Sequence, residues 1–227
     1  MSKTFILSVG GSLFSRADGL DIKFLQEFRV FILKRVKAGD KFFLISGGGA
    51  ICRSYNKAVL SIVKTDHKSL DWLGISATRF NAQLIKTIFG SLAHEEIIID
   101  PTKKITTTKK IIIAAGYQPG WSTDYCAVLM AKHNNAQTVI NLSNIDYVYD
   151  KDPRKFTDAK KIERTTWPEF QKIVGTKWRP GLNAPFDPVA SQAAAKNKMK
   201  VIIINGQKIK NLEAYFKGEK FKGTVIF

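Results

Sequence analysis

Short runs of almost uninterrupted Ile, Val, Leu and Phe, each separated from the next by a helix-like stretch, constrain this chain most. They are Phe5 to Val9, Lys41 to Ser46 (KFFLIS), Ile97 to Ile99, Ile111 to Ala115, Thr138 to Leu142, Val201 to Ile204 and Thr224 to Phe227. A strand with apolar side chains on both faces cannot turn either face to water. The arrangement that covers both is a mostly parallel sheet with helices on its two sides. The expected fold class is therefore α/β, a three-layer α/β/α sandwich with a mostly parallel central sheet.

The segments between these runs carry helical signals. Asp21 is placed to cap a helix that runs to Lys37, with Ile22, Leu25, Phe28, Ile32 and Val36 on one stripe and Gly39 at its end. Ala50 to Val63 and Leu70 to Phe89 read as helices, the second closed by Gly90, and so does Ser122 to His133. Thr166-Trp167-Pro168-Glu169 has the spacing of a capping box with proline in the first turn, opening a short helix through Val174. Asp187-Pro188 opens another through about Lys196, and Asn211 to Phe216 is a last short one. Between Tyr147 and Arg164 charges and Pro153 replace the apolar rhythm, which predicts the softest stretch. No repeat or linker divides the 227 residues, so a single domain spanning 1–227 is expected.

The charge is unusual. Thirty-six Lys and Arg against nineteen Asp and Glu give +17, a field that attracts anions and makes nucleic acid the first partner to weigh. The lysines, however, are spread along the whole chain with no basic arm or base-stacking motif, which argues for a solvated surface and against a nucleic-acid module. Cys52 and Cys126 lie in no CxxC pair and read as reduced thiols. His67, His94 and His133 are isolated, so no metal cluster is expected. The first apolar run stops at Gly-Gly-Ser rather than continuing into a cleavage site, and no run of about 18 apolar residues exists, so a cytoplasmic protein without membrane contact is expected.

Glycine recurs where strands end. Gly10-Gly11-Ser12 follows the first strand, Gly47-Gly48-Gly49 the second, and Gly116 and Gly120 a third. Open α/β sheets bind ligands at the carboxyl ends of their strands. Glycine lets backbone N–H groups approach a ligand, and a helix start behind it adds free N–H groups and a favourable dipole for anions. Together these bends predict a phosphate cradle. GxxxxGK[ST] and GxGxxG between the first strand and helix are both missing, as are GxSxG and HExxH, which excludes a P-loop kinase and argues against a dinucleotide dehydrogenase. What remains (amides, cations and carboxylates) suits phosphoryl transfer, where positioning and charge neutralisation dominate.

Six segments in order carry a resemblance over nearly the whole chain: VGGS at Val9 to Ser12, SGGG with Arg53 at Ser46 to Arg53, DWLGISATRFNA at Asp71 to Ala82, GYQPGWSTD at Gly116 to Asp124, NLSNIDYVYDKDP at Asn141 to Pro153, and FDPVAS at Phe186 to Ser191. They resemble the amino acid kinase superfamily and, through the third and fourth segments, its archaeal-type uridylate kinases. The resemblance implies a UMP kinase that uses ATP, with Mg²⁺ held mainly by the ATP phosphates. It implies an acceptor lobe over roughly 1–133 and an ATP lobe over roughly 134–227. Catalytic roles would fall to Gly10, Gly11, Ser12, Arg53 and Asp124, the last as the carboxylate that orients catalytic cations. UMP would lie against Gly47, Asp71, Gly116, Tyr117, Gln118, Pro119, Gly120, Trp121, Ser122 and Thr123. ATP would lie against Ser8, Val9, Gly10, Gly11, Ser12, Gly48, Arg53, Ser143, Asn144, Tyr149 and Asp152.

The chain departs from the family pattern twice. Ser8 stands where many members carry a lysine, and Tyr147 where a glycine is usual, so Tyr147 must avoid a strained φ. These departures keep open a non-catalytic relative that binds nucleotides or oxoanions, like the molybdenum/tungsten storage proteins. An isopentenyl phosphate kinase is the other alternative, and the absence of histidine near Gly47 to Gly49 argues against it. The family resemblance also implies a hexameric homo-oligomer, with the helix from Asp21 to Lys37 as a candidate contact.

Overall fold

The computed structural model describes residues 3–175 and 184–227. Eleven strands and seven α-helices follow one another along these residues. β1 is Thr4–Val9, β2 Ser15–Arg16 and β3 Gly19–Leu20; α1 (Ile22–Lys37) then leads to β4 (Lys41–Ser46). Two helices come next, α2 (Gly49–Ile62) and α3 (His67–Phe89), before β5 (Ile111–Ala114), α4 (Thr123–His133) and β6 (Thr138–Ser143). β7 (Val148–Tyr149), β8 (Lys161–Ile162) and β9 (Arg164–Thr165) are short. The chain ends with α5 (Trp167–Val174), α6 (Pro188–Lys196), β10 (Lys200–Asn205), α7 (Ile209–Lys217) and β11 (Thr224–Ile226).

One sheet of seven strands in the order β5-β4-β1-β6-β10-β11-β9 forms the middle layer. The first five are parallel, and β11 runs antiparallel to β10. Val9 pairs with Ser46 on one side and Leu142 on the other, and Asn205 pairs with Ser143. The segments leaving β1, β4, β6 and β10 therefore start side by side on one edge.

Successive side chains take opposite faces, as the pleat requires. Ile6, Phe43, Ile45, Ile112, Val139 and Ile203 pack with α4, α5 and α6 through Val128, Phe170 and Ala190. Leu7, Phe42, Leu44, Ile113, Ile140 and Ile202 pack on the other face with Phe28, Ile32, Ile85 and Leu212 from α1, α3 and α7. This double burial is the physical reason for the near-continuous apolar strands. Truncating one of these side chains, such as fully buried Phe28, removes about 3–5 kcal/mol of stability.

The structure differs from expectation in places. Ile97 to Ile99 is not a strand; only Ile98 bridges Ala114, beside a second bridge from Ala93 to Ile111. The stretch from Tyr147 to Arg164 holds the β7–β8 pair. A tight β2–β3 pair of two residues each, too short to show periodicity, follows the first bend. On α1, Phe24, Leu25, Phe28, Phe31 and Ile32 are buried, while Ile22 and Val30 remain exposed. Tyr147 is not among the residues with positive φ, so its replacement of glycine carries no backbone strain.

Candidate functional site

The first two glycine bends touch backbone to backbone. A methyl group at Gly11 would sit 2.2 Å from the Gly49 nitrogen and 2.5 Å from the Gly47 oxygen. One at Gly49, whose φ is +66°, would sit 2.7 Å from the Gly11 oxygen. No residue with a side chain fits either position. Gly10 N–H donates to Leu142 O (3.0 Å) and Gly47 N–H to Val9 O (2.9 Å), so the sheet itself aims both bends. A fourth strand end closes in the same way. Gly206, past β10, donates to Ser143 O and leaves no room for a Cβ against Leu13.

The helix starts behind these bends are open. Asp21, Asp66, Ser122 and Asp187 each accept a backbone N–H at the starts of α1, α3, α4 and α6, and Thr166 with Glu169 closes α5. At α2 the cap residue is Gly48 and no side chain accepts from the first turn, and the short 3₁₀ turn Gly11–Leu13 is likewise uncapped. A helix start leaves its first N–H groups unpaired unless something caps them. Here two such starts meet at the carboxyl edge of the sheet, a ready receptor for anionic oxygens.

α3 holds the bends in place from the side. Asn81 Nδ2 donates to Gly47 O (2.8 Å) and Gly48 O (3.1 Å), and Asn81 is buried. A turn earlier, Thr78 Oγ1 accepts from Gly116 N–H at 2.9 Å. Arg79 donates through Nη2 to Tyr117 O (3.0 Å) and through Nε to Gly116 O (3.4 Å). Gly74 lies under Gly48, and Asp71 Oδ2 accepts from Gly120 N–H (2.8 Å). The third bend is thus tied to the helix that positions the second. Between them opens a cleft of about 790 Å³ lined by Lys68, Asp71, Trp72, Arg79, Tyr117 and Gly120, among others. Tyr117, Trp121 and Tyr125 form an edge-to-face chain beside it, with Trp121 and Tyr117 packed on the core, so the Trp121 ring is a packed wall.

Below the first bend lies a polar network. Asp124 Oδ1 accepts from Ser8 Oγ (2.9 Å) and Asn141 Nδ2 (2.7 Å), and Oδ2 from Asp187 N–H (3.3 Å). Burial first, then the charge of Asp187, push the Asp124 carboxyl up to about 6 against the opposing bond from Ser8. Burial likewise raises Asp187. Where a cation was expected, the hydrogen-bond partners of Asp124 among the described residues are neutral. Ser122, not Asp124, caps α4.

The remaining expected residues fall as follows. Ser12 sits in the first bend and Thr123 opens α4 after Ser122. Val9 is buried in the core and offers the site only its backbone. Arg53 is exposed on the first turns of α2, with no ion pair among the described residues. Gln118 and Pro119 line the cleft. Ser143 and exposed Asn144 leave β6 on the shared edge, with Tyr149 further on in β7. Asp152 is engaged locally, its carboxylate accepting from Arg154 Nε and Nη2 (3.0 Å each).

Sequence reasoning missed Thr78, Arg79 and Asn81, whose partners are backbone atoms of distant segments. It also missed Asn141, Gly206 and Trp72. Among the described residues no group of three or more His, Cys, Asp or Glu could hold a metal, and no helix is long and apolar enough to cross a membrane.

Comparison with known proteins agrees with this geometry. The family model described as "Amino acid kinase family" matches residues 3–205. The chain is 31% identical over 224 residues to a uridylate kinase of Methanobrevibacter smithii, covering 97% of this chain and 98% of that one. It is 30% identical over 232 residues to a uridylate kinase of Thermoplasma acidophilum, covering 100% and 97%. Among solved structures, the uridylate kinase of Archaeoglobus fulgidus superposes with a TM-score of 0.81 at 29% identity, covering 99% of this chain and 100% of that one.

Proposed function

Because the chain belongs to the amino acid kinase family, we propose that it is a UMP kinase, which moves the γ-phosphoryl of ATP onto UMP to give UDP for pyrimidine nucleotide synthesis. The observation that carries this reading is the contact between the two glycine bends in front of an uncapped helix start. Two phosphate chains meeting tail to tail need such a place.

In this reading residues 1–133 form the acceptor half and 134–227 the ATP half. Gly47, on the UMP side, and Gly48, on the ATP side, sit between the acceptor phosphate and the donor, with Arg53 neutralising phosphate charge. The ribose hydroxyls meet Asp71, and the segment from Gly116 to Thr123 reads the base. The ATP phosphates lie on Gly10, Gly11 and Ser12, above Ser8 and the backbone of Val9. Ser143, Asn144, Tyr149 and Asp152 frame the rest of the donor. A UMP phosphate oxygen attacks the γ-phosphorus in line, the bond to the β–γ bridging oxygen breaks, and ADP leaves. No general base is needed, because a phosphate monoester is a dianion above a pKa of about 6. Amide N–H groups and cations stabilise the equatorial oxygens, and no side chain becomes phosphorylated.

ATP arrives as its Mg²⁺ complex, the ion held mainly by phosphate oxygens and lending them positive charge. The oxygen donors nearest the first bend, Asp124 and Ser8, suit so hard a cation. Asp124, fixed by Ser8 and Asn141, would orient the ion, and the ion would supply the positive charge that the missing lysine does not.

The protein works in the cytoplasm as a homo-oligomer, a hexamer by family likeness. Its contact face includes the exposed apolar side chains of α2 and α3, Tyr55, Leu60, Ile62 and Phe80. A coupled assay with ATP, Mg²⁺ and each nucleoside monophosphate tests the reading. Turnover with UMP is expected; turnover only with an isopentenyl phosphate or an amino acid, or ATP binding with no acceptor phosphorylated, refutes it.

A further inference from the structure

We propose that Arg79 is the positioning residue that sets acceptor selectivity, by locking the segment from Gly116 to Gly120 into one conformation over the cleft. The inference deepens the UMP kinase reading and rests on it for the identity of the acceptor.

Four residues of the helix touch that segment or the bend beside it, and Arg79 is the one that grips two consecutive carbonyls of the segment itself, as Asn81 does for Gly47 and Gly48 in the neighbouring bend. Arg79 Nη2 donates to Tyr117 O at 3.0 Å and its Nε to Gly116 O at 3.4 Å. A guanidinium fork holds its coplanar N–H donors in fixed directions, which suits it to spanning neighbouring carbonyl oxygens. The residue is half-buried, with its guanidinium carbon 6.0 Å from the centre of the Trp72 ring. The indole is thus a second contact for the guanidinium beside the two carbonyls. Neither Glu nor Asp pairs with Arg79 among the described residues, so its donors are committed to backbone.

The segment needs such a clamp. Gly120 has a φ of +82°, and past Gly116 the segment belongs to no strand or helix until α4 begins. Thr78 fixes its entry at Gly116 N–H and Asp71 its far end at Gly120 N–H. Tyr117, Gln118 and Pro119 lie between these pins and line the cleft, and Arg79 fixes the backbone at the start of that stretch through the Gly116 and Tyr117 carbonyls. Discrimination between a base with a ring carbonyl and one with an amino group at the same place depends on which of the backbone groups there, N–H or C=O, points inward. A pocket with fixed polar groups rejects the wrong partner because one of them is left unpaired.

The test uses the full-length protein and the variants Arg79→Met, which keeps the stem against Trp72, and Arg79→Lys, which reaches one carbonyl. For Arg79→Met the KM for UMP rises about tenfold or more and the ratio of kcat/KM for UMP over CMP falls about tenfold, as expected for losing two charged hydrogen bonds. The KM for ATP stays within about twofold, and Arg79→Lys lies between. In the ligand-free protein, amide hydrogen exchange of residues 116–120 speeds up in Arg79→Met while the sheet does not change. Unchanged exchange, unchanged UMP-to-CMP ratio, or equal rises in both KM values overturn the proposal. A wild-type protein that does not phosphorylate UMP sinks the kinase reading instead, and the exchange measurement still decides the clamp.

Discussion

Gly11→Ala is the sharpest test of the two touching bends. The added Cβ would lie 2.2 Å from the Gly49 nitrogen and 2.5 Å from the Gly47 oxygen, both backbone atoms. Ordinary carbon contacts begin near ~3.5 Å, so the bends must part by roughly 1 Å. Neither can retreat freely, since Gly47 N–H is bonded to Val9 O and Asn81 grips the Gly47 oxygen. Overpacking of this kind costs about 1–3 kcal/mol. For a chain of this length that lowers Tm by on the order of 2–12 °C. The larger effect is on chemistry: a displacement of about 1 Å between reacting groups can slow transfer by on the order of a hundredfold. The assay is steady-state turnover with ATP and UMP beside a thermal melt. Gly74→Ala is the control, because its Cβ meets only the Cys52 sulfur, at 3.1 Å. A Gly11→Ala protein with wild-type Tm and kcat within about threefold of wild type would refute the idea that close backbone contact builds the site.

Other outcomes follow from the same geometry. Asn81→Leu leaves the Gly47 and Gly48 carbonyls without their donor and lowers stability by about 2–4 kcal/mol in urea denaturation; a loss under about 0.5 kcal/mol would contradict its anchoring role. Burial pushes the Asp124 carboxyl up to about 6, above its ordinary 3.8, so the folded state holds the extra proton between these values. Its contribution to stability is complete below the unfolded pKa and falls as pH rises between these two values. Asp124→Asn should remove most of that slope in Tm against pH, leaving the part due to Asp187, which shifts in the same direction; an unaltered slope would exclude Asp124 as its source. Phe80→Glu places a charge on an exposed apolar face, and sedimentation should show a smaller assembly than wild type; an unchanged assembly would move the contact elsewhere.

The strands and their order of burial were readable because double coverage leaves a plain trace, unbroken Ile, Val and Leu. Most helix ends were readable as well, since Asp21, Asp187 and the Thr166–Glu169 pair act on N–H groups three residues away. Ile97 to Ile99 misled because apolarity reports burial, not pairing; Ile98 is buried beside β5 with a single bridge. The glycine bends were visible as composition, but not their mutual contact, which spans nearly forty residues of sequence. The work of Thr78, Arg79 and Asn81 was invisible for the same reason: each acts on backbone atoms that only the tertiary fold brings near. Asp124 lies in the polar network with Ser8 and Asn141, and nothing local in the sequence reveals those partners. The segment 176–183 lies outside the described residues.

The seven-stranded sheet runs unbroken beneath every element at its carboxyl edge, with β1 hydrogen-bonded to a neighbour on each side. Such a plate has no crease. Opening it along β1 would rupture a whole parallel ladder, so two halves cannot swing like the jaws of a hinged enzyme. Whatever shields a reaction here from water must come from short coverings above the edge, such as the β2–β3 pair and the segment beyond Gly116. The pace of turnover should then follow how quickly those coverings lift and settle.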